Sequence, residues 1–151
     1  LHNAFVGFEE KNDEGGMANA LNQLGLACCK KEEYDTALEH FKRAEEICRK
    51  LNDPLSVLAL SRHIVEAQWK KGNVNEAINR CLEMLDFYQA NNNPKGTVEL
   101  LEYMADIYLD SGDHKKAADA YKTIASIHRN FKHEKIAERF LEKAAEIEER
   151  Q

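Results

Sequence analysis

One kind of junction recurs in this 151-residue chain at a constant interval of 40 residues. It reads KNDEGGMANAL from residue 11, LNDPLSVLALS from residue 51 and NNNPKGTVELL from residue 91. Each copy leads into a segment whose apolar residues lie three and four positions apart, and a second segment of the same kind follows. This spacing predicts pairs of amphipathic helices that repeat along the chain. Gly72 and Gly112 lie between the two segments of a pair, where a tight turn is expected.

The composition favours an all-α chain. It contains only two prolines and seven glycines, and its 32% of charged residues suits helices with much solvated surface. The net charge of −6 argues against a general nucleic-acid binder, because phosphate binding needs a basic face. No apolar run in the sequence is long enough for a membrane span, and the first residues do not resemble a signal peptide. We therefore expect no nucleic-acid partner and no membrane insertion.

The repeated pattern resembles the tetratricopeptide repeat, in the longer version of about 40 residues per unit. An alanine opens every second helix, at Ala37, Ala77 and Ala117. Other positions of the family pattern are held by Leu21, Leu24, Gly25, Cys28, Phe41, Ala44, Ile64, Leu101, Met104, Ala105, Tyr108 and Tyr121. The middle unit departs most from the pattern, since Ser61 and Gln68 are polar and Val65 is bulky at usual core positions.

The resemblance implies an all-α fold, an α-α superhelix or solenoid of antiparallel helix hairpins over residues 1–151. Its expected parts are the tail helix of a preceding unit at 1–11, three repeats at 18–57, 58–97 and 98–133, and a capping helix at 134–151. The chain is thus expected to be a piece of a longer array. An open N-terminal end with Phe5, Val6 and Phe8 would permit self-association.

The resemblance also implies a concave groove lined by the first helix of each unit. The groove positions of the repeat hold Asn19, Asn22, Leu26, Arg62, Glu66, Trp69, Lys70, Glu99, Glu102, Asp106 and Asp110. Asparagine amides can bond a peptide backbone, a tryptophan can anchor an interface, and the carboxylates favour a partner with a basic segment. The alternatives are that the acids form a solvated end, that Trp69 packs between units, and that the asparagines only tolerate exposure.

The residues give no sign of an enzyme or of a bound cofactor. The six histidines have no repeated spacing to a carboxylate or thiol, and His128 and His133 are five apart across a likely break, too loose for a helical metal pair. Cys28, Cys29 and the other two cysteines form no Cys-x-x-Cys pair, so free thiols in a reducing cytoplasm are expected. We predict no catalytic residues, no metal and no cofactor.

The function predicted from these observations is a non-catalytic protein–protein interaction module or scaffold, which binds a peptide segment of a partner in its groove. Two alternatives remain open. The chain could be a structural or self-associating segment of a longer repeat array, or it could be the regulatory part of a larger protein.

Overall fold

The computed structural model describes residues 13–150, and within them all regular secondary structure is helical. The predicted tail helix over 1–11, with Phe5, Val6 and Phe8, lies outside the described residues. Seven helices follow one another, and their bounds are α1 Glu14–Lys30, α2 Tyr34–Lys50, α3 Pro54–Lys71, α4 Val74–Ala90, α5 Pro94–Asp110, α6 His114–Asn130 and α7 Glu134–Glu149. The odd-numbered helices begin 40 residues apart, as the recurring junction predicts. The prediction of an all-α fold of helix hairpins is confirmed.

Between these helices, five connections are turns of three residues and the one between α3 and α4 has two, and each contains one residue in the left-handed region. This residue has a φ of +98° at Gly72 and +84° at Gly112, which confirms the role predicted for these glycines. The remaining turns place non-glycine residues in this region, at Glu32, Asn52, Asn92 and Lys132. In each turn the N–H of the last residue donates a hydrogen bond to the carbonyl five residues earlier, as from Asn73 to Gln68 at 2.8 Å. These bonds satisfy carbonyls at the end of the preceding helix.

Short polar side chains fix where α1, α3, α5 and α6 begin. Asp13, Asp53, Asn93 and Asp113 each accept a hydrogen bond from the backbone N–H three residues later. Such caps satisfy N–H groups that have no partner within the helix. Proline occupies the first residue of α3 and of α5, where its missing N–H costs nothing. The recurring ND and NN of the junctions are therefore turn-and-cap signals.

The chain divides into two compact units, one ending at Arg80 and the other beginning at Cys81. In the first unit α1 packs on α2 and α2 on α3. Their apolar faces form a core of Ala18, Leu21, Ala37, Leu38, Phe41, Ala44, Cys48, Leu60, Ile64 and Ala67. Phe41 lies so close to Gly25 that a Cβ at Gly25 would come within 2.4 Å of the ring, so the small residue of the family pattern has a packing reason here.

Ser61 and Gln68, the polar residues by which the middle repeat departs from the family pattern, lie in the first compact unit. Both are buried and have hydrogen-bond partners. Gln68 accepts a hydrogen bond from the Asn73 amide at 3.0 Å. Ser61 lies beside Arg80, whose guanidinium also pairs with the buried Glu45 carboxylate. Because a buried polar group without a partner is costly, these bonds explain how the middle repeat tolerates polar residues at core positions.

In the second unit α5 packs on α6 and α6 on α7. Buried residues of these helices include Leu101, Met104, Ala105, Tyr121 and Ile124. The outer face of α7 is charged. The buried residues of this helix are Ala137, Ala144 and Ile147. Among the helices between residues 13 and 150, none is both long and apolar enough to cross a membrane.

Candidate functional site

In the first unit, two surface cavities follow each other between the first helices of adjacent hairpins, α1 and α3. The smaller has a volume of about 180 Å³ and includes Asn19 and Asn22, two of the predicted groove residues. Oδ1 of Asn22 lies 2.9 Å from Nδ1 of His63 on α3. The His63 ring is half-buried, 5.5 Å from the Phe41 ring, and burial lowers its pKa while nearby Glu66 acts in the opposite direction. A neutral His63 therefore holds the Asn22 amide in place at the cavity wall.

The larger cavity of the first unit has a volume of about 500 Å³ and lies beside the C-terminal half of α1. Leu26 and Cys29 line it from α1, and Glu66 lines it from α3. Burial raises the pKa of the Cys29 thiol, and the charges of Glu66 and Cys28 act in the same direction. The Cys29 thiol is therefore held in its protonated, weakly nucleophilic form. This cavity offers an apolar wall with one carboxylate at its edge.

Three other predicted groove residues of the first unit do not line these cavities. Arg62 and Lys70 are exposed on α3, and Trp69 is half-buried beside Lys70. The Lys70 ammonium lies 5.0 Å from the centre of the Trp69 ring, a cation–π contact. Part of the indole remains open to solvent in this arrangement.

In the second unit, one cavity of about 550 Å³ lies where α5, α6 and α7 meet. From α5 it is lined by the predicted residues Glu99 and Glu102, together with Lys95 and Val98. The remaining wall consists of Ile127, His128, Phe131, His133, Ile136 and Phe140. Phe131 is 55% exposed and Ile136 is 37% exposed, which is unusual for side chains of this size. The cavity therefore combines an open apolar wall with two carboxylates and one ammonium group.

The cavity of the second unit and the smaller cavity of the first occupy equivalent places in the repeat. Nine lining positions correspond at an offset of 80 residues, namely Gly15 with Lys95, Ala18 with Val98, Asn19 with Glu99, Asn22 with Glu102, Cys48 with His128, Leu51 with Phe131, Asp53 with His133, Ser56 with Ile136 and Leu60 with Phe140. In each of the nine pairs the second unit carries the larger side chain, and its carboxylates Glu99 and Glu102 replace the amides Asn19 and Asn22.

Sequence reasoning did not include Phe131, His133 or Ile136 in the site. Their signal was present in FKHEKIAERFL, the degenerate fourth copy of the junction, where a phenylalanine stands at the position of Leu51. Two predicted residues of α5, Asp106 and Asp110, are exposed further along the helix and do not line the cavity.

Comparisons with known proteins agree with this architecture. The sequence model of the tetratricopeptide repeat matches residues 18–51, which cover most of the α1–α2 hairpin. Tetratricopeptide repeat protein 29 of Macaca fascicularis and that of Homo sapiens are each 28% identical over 114 residues. The match covers 76% of this chain and 24% of each relative, so the chain spans about a quarter of their length.

Solved structures of several different proteins have folds similar to that of this chain. A signal transduction ATPase with numerous domains and a tetratricopeptide repeat sensor, from Pyrococcus horikoshii, gives a TM-score of 0.62 at 22% identity, over 89% of this chain and 24% of that one. Aspartyl phosphate phosphatase F from Bacillus subtilis gives 0.56 at 16% identity, over 97% and 42%. BtubC from P. vanneervenii gives 0.57 at 12% identity, over 90% and 65%. At these identities the likeness concerns the fold alone.

Proposed function

We propose that this chain, which matches the tetratricopeptide repeat over residues 18–51, is a non-catalytic protein-interaction module that holds a peptide segment of a partner protein against its first helices. The main support for this proposal is that surface cavities occur between successive first helices at equivalent places in both units. Six of the eleven groove residues expected from the sequence line a cavity, namely Asn19, Asn22, Leu26, Glu66, Glu99 and Glu102.

The chemistry of the cavities indicates what such a segment would carry. In the first unit the amides of Asn19 and Asn22 can donate to and accept from a peptide backbone. In the second unit the wall around Phe131 can bury an apolar side chain, while Glu99 and Glu102 attract a neighbouring basic residue. The proposed ligand is therefore an extended or helical peptide with an apolar anchor and an adjacent lysine or arginine.

A non-catalytic role is supported by the state of the buried thiols. Burial raises the pKa of Cys81 to about 12, and burial with the charges of Asp53 and Glu45 raises that of Cys48. Thiols of this kind are protonated at neutral pH and are poor nucleophiles.

The proposal can be tested with peptides selected against the whole chain from a random-peptide phage library. We expect Glu102→Lys to weaken the best peptides by about tenfold, because it replaces an attraction by a repulsion at the cavity rim. Asp119→Lys is the matched control, since it makes the same charge change at an exposed site on the second helix α6. Fluorescence anisotropy of labelled peptides measures both dissociation constants, and circular dichroism checks that helicity is kept.

Two results would contradict the proposal. Equal effects of Glu102→Lys and Asp119→Lys would mean that the charge acts through the field of the whole molecule rather than at the cavity. Selected peptides whose affinity does not change with ionic strength would remove the role of the carboxylates, because screening weakens exposed charge pairs.

Self-association is a second candidate function with one observation in its favour. Leu51 and Leu55 are 46% and 70% exposed at the junction between α2 and α3, an unusual pair of apolar side chains on a surface. If they mediate contact between copies, light scattering should show a mass that rises with concentration and falls for Leu55→Gln. A constant monomer mass would exclude this candidate and leave the peptide-binding proposal intact.

A further inference from the structure

We propose that His128 and His133 form a two-histidine site for a divalent transition-metal ion, and we take Zn²⁺ as the example of such an ion. From the sequence, a spacing of five residues across a likely break argued against a helical metal pair. The structure brings the two rings together, because α6 ends between the two residues and a turn follows. The chain reverses at Lys132, whose φ is +63°, and the His133 N–H bonds back to the His128 carbonyl at 2.8 Å. This turn brings the Nδ1 atoms of the two rings to 3.3 Å.

The distance between these nitrogens is the distance that a tetrahedral metal ion requires. With Zn–N bonds of about 2.0–2.1 Å, two ligand nitrogens at a tetrahedral angle lie about 3.3–3.4 Å apart. A neutral imidazole carries one proton on one of its two nitrogens. If both rings carry it on Nε2, two Nδ1 lone pairs face each other, which is unfavourable unless a cation or a shared proton lies between them. Imidazole nitrogen is a preferred ligand of Zn²⁺, Cu²⁺ and Ni²⁺.

Aromatic neighbours hold both rings in position. His128 stacks on Phe140 of α7 with an interplanar angle of 6° and a centroid distance of 5.7 Å. His133 stacks on Phe131 at 6.4 Å and 29°. Rings that are already ordered lose little conformational freedom when a metal binds, so the site is preorganised.

The charges around the pair are mixed. Glu99, Glu102 and Lys95 line the same cavity from α5, and Glu134 follows His133 directly and pairs with Arg129 at 3.5 Å. Between residues 13 and 150, no three His, Cys, Asp or Glu side chains are grouped closely enough to hold a metal ion. The site is therefore an open one, with two ligands from this chain and the remaining positions left to water or to a side chain of a bound molecule.

Zinc titration of the whole chain tests the proposal. We expect one Zn²⁺ per chain, measured by competition with a chromogenic chelator, and a weakening of more than about tenfold in either His128→Ala or His133→Ala. The matched control is His114→Ala, which removes a half-buried histidine whose Nδ1 lies 3.1 Å from the Gly112 carbonyl oxygen. It should bind zinc as the unchanged protein does.

A direct spectroscopic reading guards against loss of folding in the variants. In the unchanged protein, ¹⁵N–¹H spectra of the histidine rings should show the Nδ1 resonances of His128 and His133 shifting together on addition of Zn²⁺, while His114 stays in place. Zinc uptake that is equal in all three alanine variants would overturn the proposal. Nδ1 resonances that do not move with Zn²⁺ would also overturn it and would assign the contact to an ordinary hydrogen bond between two histidines.

Discussion

Replacing Gly25 by alanine should destabilise the protein, although alanine is the better helix former. In the middle of α1 the backbone preference favours alanine by about 1 kcal/mol. Against this, the new Cβ would lie 2.4, 2.7 and 2.8 Å from Cε1, Cδ1 and Cζ of the Phe41 ring, distances that real Cβ atoms do not show. Phe41 is fully buried and cannot move away without displacing its neighbours. Since overpacking a core costs about 1–3 kcal/mol, with the upper end expected for contacts this short, the net loss should be about 1–2 kcal/mol.

The same helix provides a matched control. A Cβ at Gly15 would meet nothing closer than the Asp13 side-chain oxygen at 3.7 Å, an ordinary contact. Gly15→Ala should therefore raise the free energy of unfolding by about 0.5–1 kcal/mol, the opposite sign for the same chemical change.

Urea unfolding followed by circular dichroism measures both effects. In thermal unfolding of a chain of this length, a change of about 1 kcal/mol in the free energy of unfolding shifts Tm by about 2–4 °C. Adding Phe41→Leu to Gly25→Ala should cost less than Phe41→Leu costs in the unchanged protein, because the alanine then fills part of the space that the ring leaves. If Gly25→Ala stabilises the protein as much as Gly15→Ala does, the packing explanation of the small residue is refuted.

Three further predictions concern the turns, the buried ion pair and the thiols. Glu32→Gly should stabilise by about 0.5–1 kcal/mol, because Glu32 has a φ of +60°, and Gly72→Ala should destabilise by a similar amount; opposite changes in urea midpoint check both. Arg80→Ala should cost about 2–3 kcal/mol, since it removes a partner of the buried Glu45 carboxylate, and replacing both residues by leucine should cost less in the same assay. Cys81 should react with Ellman's reagent at pH 8 only as fast as the protein unfolds, because its pKa is raised to about 12; rapid labelling of the folded protein would show that the thiol is accessible.

The repeat frame was predictable because it depends on local signals. Gly72 and Gly112 adopt the left-handed region without strain, and Asp53 and Asn93 cap helices, so each acts within a few residues of itself. The small residue at Gly25 was also visible as part of the family pattern. The reason for a small residue there is the nearby Phe41 ring, and this contact is visible only in the packed α1–α2 hairpin.

The site was only partly predictable for the same reason. Helical spacing selected exposed faces, and Asn22, Glu99 and Glu102 do line cavities. Spacing could not exclude Asp106, which lies on the same face beyond the cavity, because the end of a cavity depends on the neighbouring helices.

By itself, the sequence determined the helices, their turns and the period of 40 residues, because propensities, caps and turn conformations act over a few residues. Tertiary structure decided which side chains meet. Phe131 and Ile136 share a wall with Glu102 because three helices converge there. Contacts between segments far apart in the chain depend on how helices pack, and local spacing does not specify that packing.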